Sequence, residues 1–505
     1  MLNRELAFHY ESLQYILKEQ PTTSLQEELE KLMAQCCIYS HLNLEKATAE
    51  EYPFLTQCMA RMSTTEFFRC LGLLHIEDGK PVLKMNCPDL IKEHLVLRLA
   101  FEQNTVQLLP DGWYLEPDRL LFLRRLWLNY SDRLKEQTSF WDQFFSAPPA
   151  SGLPAWLYAD LLWGCTDIFS PLAQRATDTL NKLHLANPGD ETIAMCYAKG
   201  LVNLSISQSP ADRAATVDRL EKLYHDHSGN DEVAVAYAKG LYNLTCVQSP
   251  EECVTTVVRL EKLYDDHSGN DEVAVRYAKG LYNLTCVQSP EDRAATVVRL
   301  EKLYDDHSGN DEVAVAYAKG LHNLSAGQSP KDRAAAVDRL ERLYHDHSGN
   351  DEVAVAYAKG LHNLSVGQSP KDYAVTMDRL EKLYTNHSGN DGVAARYASG
   401  LVNLALSQTE EADVRRTLAR SRAVLDLHSD HADIRLSHAM TWFNLTLVQQ
   451  EAAIVATVLE IAAFLKAHPD AIPGFKEALV EYLSEHPDHA DRYRPLSELG
   501  GDSHA

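Results

Sequence analysis

The stretch "HSGNDEVAVAYAKGL", residues 227–241, returns almost unchanged from His267, His307 and His347, each 40 residues after the last. A looser copy begins at His387, and a weaker one, "NPGDETIAMCYAKGL", at Asn187. Residues 251–290 and 291–330 differ at nine positions of 40, and the likeness extends to positions with no place in a core. Folding requires only the buried pattern to recur, so this identity points to recent duplication of a structural unit. A fixed period of this length is the mark of a solenoid, in which each unit buries its apolar faces against its neighbours.

Each unit reads as two helices. In "SPEDRAATVVRLEKLY" Ser289 is an N-cap, Pro290 suits the first helical turn, and Asp292 is expected to complete a capping box. Ala294, Val297, Leu300 and Tyr304 follow at helical spacing. "DDHSGN" ends this helix, with Gly309 expected in a left-handed conformation. Asn310 or Asp311 then caps "DEVAVAYAKGLHNL", whose buried stripe is Ala314, Tyr317, Leu321 and Leu324. Gly320 costs its helix about 1 kcal/mol relative to alanine. It recurs as Gly200, Gly240, Gly280, Gly360 and Gly400, which implies close approach of a neighbouring helix at each.

The 505 residues are 45% hydrophobic and 24% charged, the composition of a folded chain too long for one core. With 48 lysines and arginines against 72 acids, the net charge is −24. Such a surface repels nucleic acid and anionic membranes. The start, "MLNRELAFHYESLQ", has charges where a signal peptide needs an apolar core, and no long uncharged apolar run follows, so a cytoplasmic location is expected. Cys246 and Cys286 occupy a repeat position held elsewhere by Ala326 and Val366, which suggests a small apolar slot and not half of a disulfide. Asn203, Asn243, Asn283, Asn323, Asn363 and Asn444 each begin an N-x-[ST] triplet; placed inside helices, these read as part of the repeat and not as glycosylation sites.

The first 170 residues follow another pattern. Helices are expected at 3–20, within "SLQEELEKLMAQCCIYSHL" and within "STTEFFRCLGLL". "LHIEDGKPVLKM" reads as a hairpin turning at Asp78 and Gly79. "CPDLIKEHLVLRLAF" is helical again, "PDGWYLEPDRLLFLRRLWLNYSDRL" continues so, and "SAPPASGLPAW" reads as a connector. Near the other end, "IPGFKEALVEYLSEHP" reads as a cap helix and "SELGGDSHA" as a frayed tail.

The 40-residue unit resembles the tetratricopeptide repeat, with Ala318 at that family's small-residue position, Tyr317 beside it and Leu321 as the later large residue. It departs from the family in length, in its longer inter-helix segment "NLSAGQSP" and in carrying "HSGN" where a proline is usual. The order of helices, hairpin and "PDLIKEHLVL" before helical repeats is similar to the C-terminal half of bacterial STAND-type, NACHT-like signalling NTPases, in which a winged helix joins an ATPase to a sensing array. No GxxxxGK[ST] loop is present, so that resemblance implies a sensor half without its motor: a truncated product, the split partner of a separate ATPase subunit, or a stand-alone relative. The expected fold is mostly α: a winged-helix-like module over 1–105, a helical connector over 106–170, a superhelix of tetratricopeptide-like hairpins over 171–468, and a cap helix with tail over 469–505.

Few constellations suggest chemistry. "DDHSGNDE" lacks EF-hand spacing, and helix ends account for its acids. The histidines recur with the repeats, and no nucleophile elbow, HExxH or paired-carboxylate motif occurs, so neither catalysis nor a cofactor is expected. Residues 61–105 carry six cations and six acids, little for a DNA-reading wing, although a repeat-containing transcription regulator is the alternative reading, with an unrecognised enzyme behind it. The strongest signal is a ladder on the second helix. Lys239 with Asn243, Lys279 with Asn283, Lys319 with Asn323 and Lys359 with Asn363 form rungs, flanked by Tyr242, Tyr282, His322 and His362. In tetratricopeptide arrays this helix lines the concave groove, so the resemblance implies a protein or peptide partner on these residues.

Overall fold

Each copy of the repeated phrase folds as two helices, and the residues that delimit them are visible in the sequence. Ser289 Oγ accepts from the backbone N–H of Asp292 at 3.2 Å, and Pro290 opens the first helix. Asn310 Oδ1 accepts from the N–H groups of Glu312 and Val313 at 3.0 and 3.3 Å and opens the second. Asp292 does not close a capping box: its carboxylate takes the Ser289 hydroxyl at 2.8 Å, being one methylene too short to reach back to the backbone. Glu252 is long enough, and accepts the Ser249 N–H at 3.1 Å.

The computed structural model describes residues 171–326 and 329–499, preceded by 117–136, 138–146 and 155–166, and by parts of the first 116 residues (11–12, 14, 23–38, 42–43, 68–69, 71, 73–77, 80–83, 92–93 and 96–97). The chain divides into two compact units, Met1–Leu244 and Thr245–Ala505.

In the first unit lie α1 (Thr23–Ile38), strands β1 (Leu42–Asn43), β2 (Leu74–Glu77) and β3 (Lys80–Leu83), then α2 (Pro117–Leu134), α3 (Thr138–Ser146), α4 (Ala155–Gly164), α5 (Ala173–Ala186), α6 (Glu191–Ser207), α7 (Pro210–Asp226) and most of α8 (Asp231–Thr245). β2 and β3 form the expected antiparallel hairpin, with Glu77 opposite Lys80; the turn residues themselves lie outside the described residues. β1 adds a third antiparallel strand, giving the order β1-β3-β2. Its two residues are too few for an alternating pattern to announce them. The helix expected within 24–42 is α1, whereas those expected at 3–20, 63–74 and 87–101 and the connector at 147–154 fall wholly or largely outside the described residues.

The second unit continues with α9 (Pro250–Asp266), α10 (Asp271–Val287), α11 (Pro290–Asp306), α12 (Asp311–Ser325), α13 (Pro330–Asp346), α14 (Asp351–Ser365), α15 (Pro370–Asn386), α16 (Asp391–Ser407), α17 (Glu411–Leu427), α18 (Ala432–Thr446), α19 (Glu451–Ala467), α20 (Ile472–Glu485) and α21 (Arg494–Ser497). The fold is mostly α, a solenoid of 40-residue helical hairpins; within the second unit each second helix packs on the second helix of the next copy. The second-helix stripe of Ala314, Tyr317, Leu321 and Leu324 is buried as expected. On the first helix the core residues are Val297, Leu300 and Leu303, while Ala294 is exposed and Tyr304 only half-buried: the stripe turns one residue earlier than the alanine suggests. Each such leucine contributes about 1.5–3 kcal/mol by leaving water.

Gly320 faces Leu300 so closely that a Cβ there would lie 2.6 Å from Leu300 Cδ1, and Gly240, Gly280 and Gly360 face Leu220, Leu260 and Leu340 at the same separation. The repeated glycine is therefore the site where the two helices of one hairpin touch. Gly309 is not left-handed: among the described residues the one glycine with positive φ is Gly367. The first helix instead ends at His307, whose N–H bonds back to Leu303 O and Tyr304 O while its own carbonyl takes the N–H of Asn310 at 2.9 Å. Cys246 and Cys286 lie exposed at the end of the second helix, and Val366 at the same position is 59% exposed, so the position is no apolar slot. The supposed frayed tail is packed through Leu499: Leu496, Leu499 and Tyr493 join Phe443 and Phe475 in the terminal core, which α20 caps as expected. Among the described residues no single helix is long and apolar enough to cross a membrane.

Candidate functional site: the second-helix face

The ladder residues sit where the pattern puts them, half-buried on the second helices, but most of their polar atoms face the adjacent copy. Asn283 Nδ2 donates to Thr245 Oγ1 and Asn323 Nδ2 to Thr285 Oγ1, both at 2.9 Å, and Asn363 Nδ2 donates to Ser325 Oγ at 2.9 Å. In the first unit Asn203 reaches Thr166 Oγ1 at 3.2 Å and Asn243 reaches Ser205 Oγ at 3.4 Å. From Ser205 onward the hydroxyl that accepts is the third residue of the preceding N-x-[ST] triplet, and it donates to its own helix, as Thr285 does to Tyr282 O at 2.6 Å. The triplet is thus a stacking device: its asparagine reaches back one copy and its hydroxyl receives from the next.

The lysines are committed likewise. Lys199 pairs with Glu232 at 2.9 Å, Lys279 with Glu312, and Lys319 with Glu352 at 2.5 Å, each carboxylate being the second residue of the next second helix. Lys279 first and Arg276 after it hold the Glu312 carboxyl below the usual range. Lys239 and Tyr242 are half-buried on α8. Tyr282 lies beneath the Lys319 ammonium, 6.0 Å from ring centroid to nitrogen. Three of the candidate residues depart from this scheme. Among the described residues Lys359 makes no ion pair, because Gly392 stands where its glutamate would be. Burial, then Arg396, then Lys319 push its pKa down. His322 is pushed down to about 4, by burial first and then by Lys359 and Arg396. His362 is lowered by burial and Arg396, and its Nδ1 is buried without a hydrogen-bond partner.

Other ties between copies were not evident in the sequence. His307 Nε2 lies 3.2 Å from Tyr264 OH and its Nδ1 3.0 Å from Asp271 Oδ1; His347 and His387 repeat this with Tyr304 and Asp311, and with Tyr344 and Asp351. The histidine and acid that "DDHSGNDE" brings together in sequence therefore bind to different copies in space. Arg339 bridges Tyr317 OH at 3.1 Å and Glu301 at 2.7 Å, while Tyr317 OH donates to Glu301 at 3.0 Å. Arg293 clasps the end of the hairpin, donating to Thr285 O at 2.8 Å and Asn323 O at 2.7 Å. An acid and a base one copy apart, at constant spacing, are the signal that could have found these pairs. No protein-family model and no curated protein matches the chain.

Proposed function

We propose that the chain is a recognition scaffold whose second-helix face binds a polypeptide partner. The observation that carries this reading is a contrast within one column. The asparagines and most of the lysines repeat and are bound between copies, whereas the ring position beside them changes from Tyr242 and Tyr282 to His322 and His362 without altering those ties. Side chains that vary on a constant framework, half-buried and about one helix apart, suit an extended polypeptide that lies across successive copies. The partner is then a protein or peptide, and the resemblance to STAND-type NTPases supports reading the array as the sensing part of a bacterial signalling or defence system. The antiparallel hairpin Leu74–Leu83 with its added strand supports a winged-helix-like module in that arrangement. The test is capture of partners by the full chain. Alanine at Tyr282, His322 and His362 should abolish capture, while aspartate at the outward Val258 and Val298, 52% and 58% exposed, should not. Equal capture by both variants overturns the reading.

A further inference from the structure

One place on the second-helix face is cationic without compensation, although the chain as a whole carries −24. It arises from two departures in a single copy. Gly392 replaces the glutamate that Glu232, Glu312 and Glu352 supply to the lysine of the preceding copy, leaving Lys359 unanswered. Arg396 stands where positions 236, 316 and 356 carry alanine; Arg276 shares the position, but in a copy that keeps its glutamate, Glu272, and among the described residues Arg396 makes no ion pair. The second helices α12, α14 and α16 pack each on the next, which sets Lys359 and His362 on α14 between His322 on α12 and Arg396 on α16; in keeping with this, Arg396 is among the causes that lower the pKa values of Lys359, His362 and His322. An ammonium and a guanidinium left unpaired and partly desolvated repel each other; an oxyanion between them removes the repulsion and gains charge-assisted hydrogen bonds. His362 Nδ1, buried and without a partner, is a further group that can bond to such a ligand.

We propose that Lys359, Arg396, His322 and His362 form a receptor for an oxyanion-bearing side chain, a carboxylate or a phosphoryl group, on the polypeptide partner. This deepens the reading above and rests on it. Lys279 and Lys319 already hold glutamates, so the same face in the neighbouring copies has no equivalent site. Specificity comes from the copy in which the chain's own carboxylate is missing, and a partner's anion takes the place that Glu352 takes at Lys319.

The probes are three labelled twelve-residue peptides, alternating alanine with glutamate, with phosphoserine or with glutamine, measured by fluorescence anisotropy against the full chain at low salt. At least one anionic peptide should bind tenfold or more tightly than the glutamine peptide, and the tighter of the two identifies the group. The double variant Lys359→Ala with Arg396→Ala should fall to the glutamine level. So should Gly392→Glu, which restores the internal partner; Val355 must turn aside, since its Cγ2 would lie 2.8 Å from the new Cβ, and the residues at the equivalent positions one copy earlier are Val315 and Glu352. Lys302→Ala, which removes an exposed lysine of the first helix α11, should leave binding unchanged. Equal binding of all three peptides, or equal loss in Lys302→Ala, overturns the proposal. If a captured partner is lost on alanine substitution of Tyr282, His322 and His362 but kept by the Lys359 and Arg396 variant, the polypeptide reading stands and this inference falls. The thermal midpoint of Lys359→Ala should match or exceed that of the native chain, because the substitution removes an unpaired charge; a clear decrease assigns Lys359 to the fold and also overturns the proposal.

Discussion

Asn323 donates its side-chain amide to Thr285 Oγ1 at 2.9 Å, and Thr285 passes its own hydrogen to Tyr282 O at 2.6 Å. The first bond crosses from one copy to the one before it, and the second stays within the helix that receives it. Asn323→Ala removes the inter-copy bond to Thr285 Oγ1 and a weaker contact with Cys286 Sγ at 3.4 Å, and leaves the hydroxyl satisfied as a donor, so the expected loss is about 1 kcal/mol. Asn323→Asp sets a carboxylate against a hydroxyl oxygen whose hydrogen is already committed, and should cost at least as much. Urea unfolding at neutral pH measures both. An aspartate variant as stable as the native chain would show that the amide hydrogen is not used.

Gly320 and Gly309 should respond oppositely to alanine. At Gly320 the new methyl would lie 2.6 Å from Leu300 Cδ1, and Leu300 is fully buried, so its displacement strains the hairpin. Overpacking of this kind costs about 1–3 kcal/mol, against a helix-propensity gain of about 1 kcal/mol, so a net loss is expected. Gly309 has no atom within 4 Å of its ideal Cβ and does not adopt positive φ, so Gly309→Ala should be neutral or stabilising by a few tenths of a kcal/mol. Thermal midpoints of the two variants, compared directly, decide the matter.

His438 is a buried histidine of the terminal copy, 2% exposed and 3.1 Å through Nδ1 from Ser421 Oγ. Burial, and then Arg422, pushes its pKa from 6.5 to about 4. The unfolded chain therefore binds a proton that the folded chain refuses between these values. The contribution is fully present above pH 6.5 and is lost as pH falls towards 4, with a total of about 3 kcal/mol. His438→Gln keeps a polar group for Ser421 but cannot titrate, so its stability should fall less steeply over this window than that of the native chain. Parallel curves for the two proteins would remove His438 from the acid response.

The period, the helix pairs and their caps were legible in the sequence because they are local: Ser289, Pro290 and Asn310 act within their own turn of chain. The close approach at Gly320 was legible because a glycine kept in every copy, at a standing cost to its helix, implies a neighbour that leaves no room for a Cβ. What misled was inference from residue type without the third dimension. Ala294 and Cys286 look apolar yet face solvent, and Gly309 looks like a helix stop although His307 performs that task. The candidate residues share the second-helix face that their spacing gave them, but their bonding was not legible, since Lys279 and Glu312 meet only when successive copies stack. Gly392 and Arg396 were visible as departures from the repeat, and their meaning required knowing which residue each departure leaves unpaired.

Deletion of one whole copy gives the most direct test of the architecture. The bonds between adjacent copies join side chains at equivalent positions, so removing residues 291–330 substitutes one copy's residues for another's. Pro290 is then followed by Lys331, as Pro330 is now, and the helix start is preserved. His347 meets Tyr264 and Asp271 in place of Tyr304 and Asp311, Asn363 meets Thr285 in place of Ser325, and Arg339 meets Tyr277 and Glu261 in place of Tyr317 and Glu301. Each pair keeps its chemistry. The shortened chain should therefore fold with unchanged helicity per residue, and its denaturant dependence should decrease in proportion to the surface lost, since stability in such arrays is close to a sum over copies and their interfaces. Circular dichroism through a urea titration reads both quantities. General loss of structure on this deletion would mean that the copies depend on contacts beyond their nearest neighbours, and the account of the fold as a stack of equivalent hairpins would fail.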